Sequence, residues 1–139
     1  MKVKDIMHKG IECVAPDTAV SAVAQKMKEL DVGAMPIAKD GKLLGMITDR
    51  DITIRCVAGN ENMSKVKAKD VMTQGVVYCR DTEDVEDAVR LMEGKQIRRL
   101  PVLDENMRMV GMVSLGDISH ALPRDITGEV TKAVSAHHA

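Results

Sequence analysis

The sequence predicts an α/β fold built from two tandem β-α-β-β-α repeats related by a pseudo-two-fold axis. Three observations carry this prediction. The second half repeats the first at an offset of 65 residues and, after one insertion, of 66: Lys4-Asp5, Met7, Gly10, Val20, Met27 and Pro36 return as Lys69-Asp70, Met72, Gly75, Val85, Met92 and Pro101, and Gly45-Met46 and Asp51-Ile52 return as Gly111-Met112 and Asp117-Ile118. Each half carries an apolar stripe at helical spacing, and each follows it with two apolar runs joined by turn residues. Two copies of one unit usually pack about a pseudo-two-fold axis, so a surface pocket made by one is made again by the other.

The elements follow in the same order in both copies. A short helical segment around Asp5-Ile6-Met7 leads to an extended run from Ile11 to Val14, and Pro16-Asp17-Thr18 then supplies the fixed φ and side-chain oxygens that start a helix. Val20, Val23, Ala24, Met27 and Leu30 form one face of that helix, matched by Val85, Ala88, Val89 and Met92. Met35-Pro36-Ile37-Ala38 and Leu43-Leu44-Gly45-Met46-Ile47 are joined through Asp40-Gly41, a hairpin signal because glycine accepts positive φ. In the second copy Leu100-Pro101-Val102-Leu103 and Met109-Val110-Gly111-Met112-Val113 flank a longer loop, Asp104 to Arg108, which holds the insertion. Pro36 and Pro101 predict a strand start or edge. A second helix begins near Thr48 or Ser114.

The division is repeat 1 over 1–62, repeat 2 over 63–122 and a C-terminal helical tail over 123–139, with the polar Gly59–Ser64 stretch as linker. Ile126, Val130 and Val134 stand at four-residue spacing in the tail, predicting a helix that packs either within the chain or on a partner.

With 139 residues, 45% hydrophobic and 29% charged, the chain has the make-up of a folded domain that buries roughly two-thirds of its unfolded surface. No apolar run approaches the ~18 residues of a membrane helix, and the first residues are not those of a signal peptide, so a cytoplasmic protein without membrane attachment is expected. Twenty basic residues are scattered among 21 acidic ones, leaving no basic stripe for nucleic acid. Phe and Trp are absent and Tyr78 is the one aromatic residue, so a planar ligand would lie between aliphatic side chains. Cys13, Cys56 and Cys79 lack CxxC spacing and read as buried free thiols. His8 and His120 stand alone and His137-His138 lie in the tail, so no metal site is expected.

The sharpest local signal is Gly45-Met46-Ile47-Thr48-Asp49-Arg50-Asp51 and its counterpart Gly111-Met112-Val113-Ser114-Leu115-Gly116-Asp117. Each sets a hydroxyl at a strand-to-helix junction with a carboxylate three residues later. A capping box accounts for this spacing on its own. The same groups also suit a nucleoside phosphate: helix-start amides and a hydroxyl for phosphate, a carboxylate for the two ribose hydroxyls, and a glycine that lets a ligand approach the strand. Both readings stand at this point.

The doubled pattern of Asp-Ile/Val-Met, a Pro ending an apolar strand pair, and Gly-x-x-Thr/Ser-x-x-Asp resembles a tandem pair of CBS domains, named after cystathionine β-synthase, over residues 3 to about 122. In length and in Leu122-Pro123 after the last repeat it is similar to small stand-alone bacterial CBS-pair proteins. The resemblance implies a regulatory module with two clefts between the repeats, binding AMP, ADP, ATP, NAD or S-adenosylmethionine. It places phosphate and ribose on Thr48 and Asp51 in one cleft and on Ser114 and Asp117 in the other. It also implies a homodimer stacked through helix faces and an unidentified protein partner. Arg98 and Arg99, standing where the first copy has Gly33 and Ala34, suit phosphate, and Arg50 stands where the second copy has Gly116, so the two affinities should differ.

An enzyme is not expected, since GxGxxG, GxxxxGK, HExxH and a nucleophile elbow are all missing, and no cofactor is expected beyond an adenosyl nucleotide as ligand. The competing reading is a nucleotide-free dimeric scaffold, or a module that responds to metal or redox state through its cysteines.

Overall fold

A computed structural model describes residues 1–135; residues 136–139, and with them His137-His138 and the end of the predicted tail, lie outside the described residues. The chain forms two compact units, Glu12–Val76 and a second in which Met1–Ile11 joins the chain from Val77 onward. Each unit therefore takes its leading segment from the other sequence repeat. The backbone bonds show why. The short helix α1, Val3–Ile6, is held by Val3 N donating to Glu83 O (2.8 Å) and Lys4 N to Asp81 O (3.1 Å), and its counterpart Ala68–Val71 by Ala68 N to Thr18 O (2.8 Å) and Lys69 N to Pro16 O (3.0 Å).

In the Glu12–Val76 unit, α2 (Val20–Leu30) precedes an antiparallel hairpin of β1 (Ala34–Lys39) and β2 (Lys42–Thr48). Asp40 and Gly41 turn the hairpin with φ of 54° and 79°, as the Asp-Gly signal predicts. Then come α3 (Asp49–Asp51), continued as a π-helical stretch Ile52–Val57, and α4 (Ala68–Val71). Val20, Val23 and Met27 meet Met35, Ile37, Ile47, Ile52 and Cys56 in one core.

Several expectations are corrected here. The Pro16-Asp17-Thr18 stretch is a turn and α2 starts later, at Val20, because carbonyls of the segment before α4 serve its first amides: Val20 N donates to Val66 O and Ser21 N to Met63 O, both at 2.9 Å. Leu30 is exposed, since α2 ends there with Asp31 in the left-handed region (φ 54°). The Ile11–Val14 run pairs only at Val14, in a parallel bridge to Ile37. Pro36 lies inside β1, an edge strand as expected, whereas Pro101 lies inside the central strand of the other sheet, at neither a start nor an edge. The carbonyl of Pro36 faces Val14, so its missing N–H falls on an edge that carries a single bridge and breaks no β1–β2 bond.

The other unit holds β3 (Cys79–Arg80), α5 (Val85–Lys95), β4 (Arg99–Leu103), β5 (Met109–Ser114), α6 (Leu115–Ala121) and α7 (Arg124–Val134). The sheet order is β3-β4-β5, parallel between β3 and β4 and antiparallel between β4 and β5; β3 pairs with Val102 and Leu103 and stops short of Pro101. Asp104 ties the longer hairpin loop, its Oδ1 accepting from Asn106 N (2.9 Å) and Arg108 N (3.0 Å). Val85, Ala88, Val89 and Met92 pack against Leu100, Val102, Val113 and Ile118. Val130 and Val134 of α7 are fully buried in this same core, with Ile126 half-buried against it, so the tail helix packs within the chain. Each such valine contributes about 1.5–3 kcal/mol relative to an exposed one. Cys56 and Cys79 are buried free thiols, whereas Cys13 is exposed, because the run that carries it is paired only at Val14.

Candidate functional site

Both hydroxyl–carboxylate motifs sit where the second hairpin strand runs into a helix. Thr48 and Ser114 are the N-caps, with extended backbone (φ −114° in each), and both motifs form complete capping boxes. Thr48 Oγ1 accepts from Asp51 N (3.0 Å) while Thr48 N donates to Asp51 Oδ2 (2.9 Å). Ser114 Oγ accepts from Asp117 N (3.2 Å), and both Ser114 N (2.8 Å) and Ser114 Oγ (3.0 Å) lie on Asp117 Oδ2. The cap consumes Oδ2 in each copy and leaves Oδ1 over.

The leftover oxygens meet different side chains. Asp51 Oδ1 is 4.0 Å from Arg55 Nε, and Arg55 spends its Nη1 on Val71 O (2.9 Å) and Met72 O (3.1 Å), closing the end of α4. Asp117 Oδ1 is 2.8 Å from His8 Nδ1. The residue matching Arg55 in the second copy is Ala121, and the residue matching His8 is Thr73. The sequence reading left His8 standing alone and passed over Arg55. The available signal was positional: His8 directly follows the repeated Met7, in a segment whose copy pairs with the motif strand.

That pairing also corrects the role given to the motif glycines. Met46 and Thr73 form an antiparallel bridge (3.1 and 2.8 Å), as do His8 and Met112 (2.9 and 3.0 Å). A Cβ on Gly45 would lie 2.6 Å from Met72 Sδ and 2.7 Å from Thr73 O, and one on Gly111 2.6 Å from Met7 Sδ and 2.7 Å from His8 O. The space beside each glycine is filled by the chain's own Met-Thr or Met-His segment and not left for a ligand.

Arg98 and Arg99 adjoin the second motif through their backbone. Arg99 is the cross-strand partner of Ser114, and the carbonyl of Arg98 accepts from Leu115 N (2.9 Å). Both are exposed, and among the described residues neither guanidinium has a carboxylate within 4 Å. Gly33 fills the Arg98 position in the first copy, its carbonyl accepting from Asp49 N (2.9 Å). Arg50 is exposed and lines a shallow depression of about 300 Å³ with Asp49, Thr53 and Ile54. A larger depression, about 540 Å³, runs between α6 and α7 past Arg124, Gly128 and Lys132 and includes none of the motif residues. Among the described residues, no three or more His, Cys, Asp or Glu side chains group as metal ligands, and no helix is long and apolar enough to cross a membrane.

The CBS domain family model matches this chain twice, over residues 3–57 and 68–124. Hypoxic response protein 1 of Mycobacterium tuberculosis is 36% identical over 132 residues, spanning 94% of this chain and 92% of that protein, and its crystal structure with two coordinated zinc ions superposes with a TM-score of 0.81 over 88% of this chain and 100% of that one. The CBS domain pair of MJ0100, solved with 5'-methylthioadenosine and S-adenosyl-L-methionine, is 30% identical with a TM-score of 0.77, covering 87% of this chain and 94% of that one. CBSX2, from Arabidopsis thaliana, solved with AMP, is 26% identical with a TM-score of 0.74, covering 86% and 94%. Two family matches, a full-length relative and the doubled strand, cap and carboxylate geometry agree, and the chain belongs to the CBS domain family as a tandem CBS pair.

Proposed function

We propose that this chain is a cytoplasmic regulatory module that senses an adenosine-containing ligand and catalyses no reaction. The observation that carries the reading is the leftover Oδ1 of Asp51 and of Asp117. In each copy the capping box holds the carboxylate in place through Oδ2 and keeps one oxygen for an incoming ribose hydroxyl, with the Thr48 or Ser114 hydroxyl beside it. Structures of CBSX2 with AMP and of MJ0100 with S-adenosyl-L-methionine support a ligand of this class. Phosphate falls to Arg98 and Arg99 in the second copy and to Arg50 in the first, so the two sites differ in preference. Binding acts by population shift, favouring one arrangement of the chain and so changing the surface offered to a protein partner or to a second copy in a homodimer.

A thermal-shift panel of AMP, ADP, ATP, NAD and S-adenosylmethionine tests this. A ligand at about 100 times its dissociation constant adds ~2.7 kcal/mol to stability. A rise with at least one adenosyl compound is expected; none with any of them, together with a rise on zinc, overturns the reading in favour of a metal-responsive module, which the zinc-bearing structure of hypoxic response protein 1 supports.

A further inference from the structure

We propose that His8 is a displaceable cover on Asp117, so that ligand occupancy at the Ser114–Asp117 site falls as the imidazole becomes protonated, while the Thr48–Asp51 site has no such control. The proposal rests on the reading that Asp117 receives ribose hydroxyls. The geometry is specific. Asp117 Oδ2 is taken by the backbone N–H and hydroxyl of Ser114, and Oδ1 by His8 Nδ1 at 2.8 Å. The His8 side chain is 68% exposed and that of Asp117 only 9%, so the imidazole lies on the solvent side of a nearly buried carboxylate. A ribose diol reaching for Oδ1 has to take the place of His8.

Release requires only the side chain to move. The His8 backbone stays tied to Met112 by two hydrogen bonds, and a rotamer change swings an exposed ring away. The ring charge decides how readily it leaves. A neutral ring already donates a charge-assisted hydrogen bond to the carboxylate, and a protonated ring adds the attraction of a full positive charge to it. Imidazoles change charge between about pH 5 and 8, so the cover holds at the acid end and yields at the basic end.

Other charges near His8 do not substitute for this pairing. Within ion-pair distance, Asp117 on α6 is the one carboxylate that reaches His8 among the described residues. The Asp5 carboxylate on α1 is bonded to the Lys2 backbone N–H (2.8 Å), Lys4 is the other charge on α1 and Lys9 the one next in sequence, β5 carries no ionisable side chain, and α6 adds only the exposed His120. In the first copy Thr73 makes the same backbone bridge without an imidazole, and among the described residues the ion-pair partner of Asp51 Oδ1 is the guanidinium of Arg55, at 4.0 Å.

The test uses AMP on the full chain carrying Asp51→Ala, which leaves the Ser114–Asp117 site, with and without His8→Thr. Because AMP itself titrates, the readout is the difference between the two variants. At about pH 5.5, His8→Thr should tighten AMP binding about tenfold, and the gain should shrink to within about twofold at about pH 8. Identical pH profiles with AMP still bound overturn the cover and leave the sensing reading intact; weaker binding in His8→Thr at both pH values makes His8 a ligand contact and also overturns it; no AMP binding to any variant overturns both. Asp51→Ala removes a cap, so the unsubstituted chain gives a second measurement. Saturating AMP should move the His8 ring resonances to those seen in Asp117→Asn, and unmoved resonances overturn the proposal.

Discussion

Met7 packs its sulfur onto the face of Gly111, 2.6 Å from where a Cβ would stand, with the carbonyl of His8 almost as near. Gly111→Ala should therefore cost about 1–3 kcal/mol, seen as a lower urea midpoint at unchanged slope, because a bonded backbone segment has to give way. Gly45→Ala should behave alike against Met72 and Thr73. Gly128→Ala in α7, where nothing lies within 4 Å of the new Cβ, should be neutral or gain up to about 1 kcal/mol. Equal losses at all three positions would remove the packing argument.

The capping boxes give a second expectation. Ser114→Ala and Thr48→Ala should each cost about 1 kcal/mol in ligand-free denaturant unfolding, the usual worth of an N-cap oxygen. Asp51→Ala combined with Asp117→Ala should abolish adenosyl-ligand stabilisation, whereas either alone should leave one site. Full retention of the ligand shift in the double variant would detach the carboxylates from binding.

Surface ion pairs set the acid limb. The Lys69 ammonium, hydrogen-bonded to Asp17, with Lys67 beside it, holds that carboxyl below its usual value, and Lys2 does the same to Asp84, whose charge in turn raises Lys2. A carboxyl with a lowered folded pKa contributes stability above its unfolded value that is lost as pH falls through the folded one. The raised Lys2 works in the other direction, contributing below its unfolded value and losing it as pH rises through the folded one. These pairs should act between about pH 4 and pH 10. Asp17→Asn with Asp84→Asn should flatten the fall in stability below about pH 4, and salt should flatten it too. An acid limb unchanged in the double variant would place its origin elsewhere.

Burial pushes the Cys79 thiol up to about 12, helped by the negative charge of Glu83. Cys79 and the buried Cys56 should stay unmodified by iodoacetamide at about pH 8 until the chain unfolds, while exposed Cys13, its pKa raised by partial burial, reacts slowly in the native state. Prompt native labelling of Cys79, read by peptide mass, would contradict the buried position.

Much of this was written in the chain. The stripes Val20–Met27 and Val85–Met92, the Asp40-Gly41 turn and the Thr48 and Ser114 caps are local patterns, and local patterns are what periodicity and spacing encode. Contacts between distant segments were out of reach: that Met7 lies on Gly111, that carbonyls of Met63 and Val66 begin α2, and that His8 meets Asp117 depend on pairings more than 40 residues apart. Leu30 and Pro101 depart for a related reason, since a helix end and a strand's place in its sheet are fixed by neighbours that the one-dimensional pattern does not contain.

Because Met1–Ile11 completes a unit whose remainder starts at Val77, the order of synthesis and the order of folding part company. Glu12–Val76 leaves the ribosome as one contiguous piece and already holds the residues of its own core. Met1–Ile11 must wait for the segment from Val77 onward, so its sequence-distant contacts close after those within Glu12–Val76. A truncation after Val76 thus removes Gly111 and the core residues that cover Met7 and Val3.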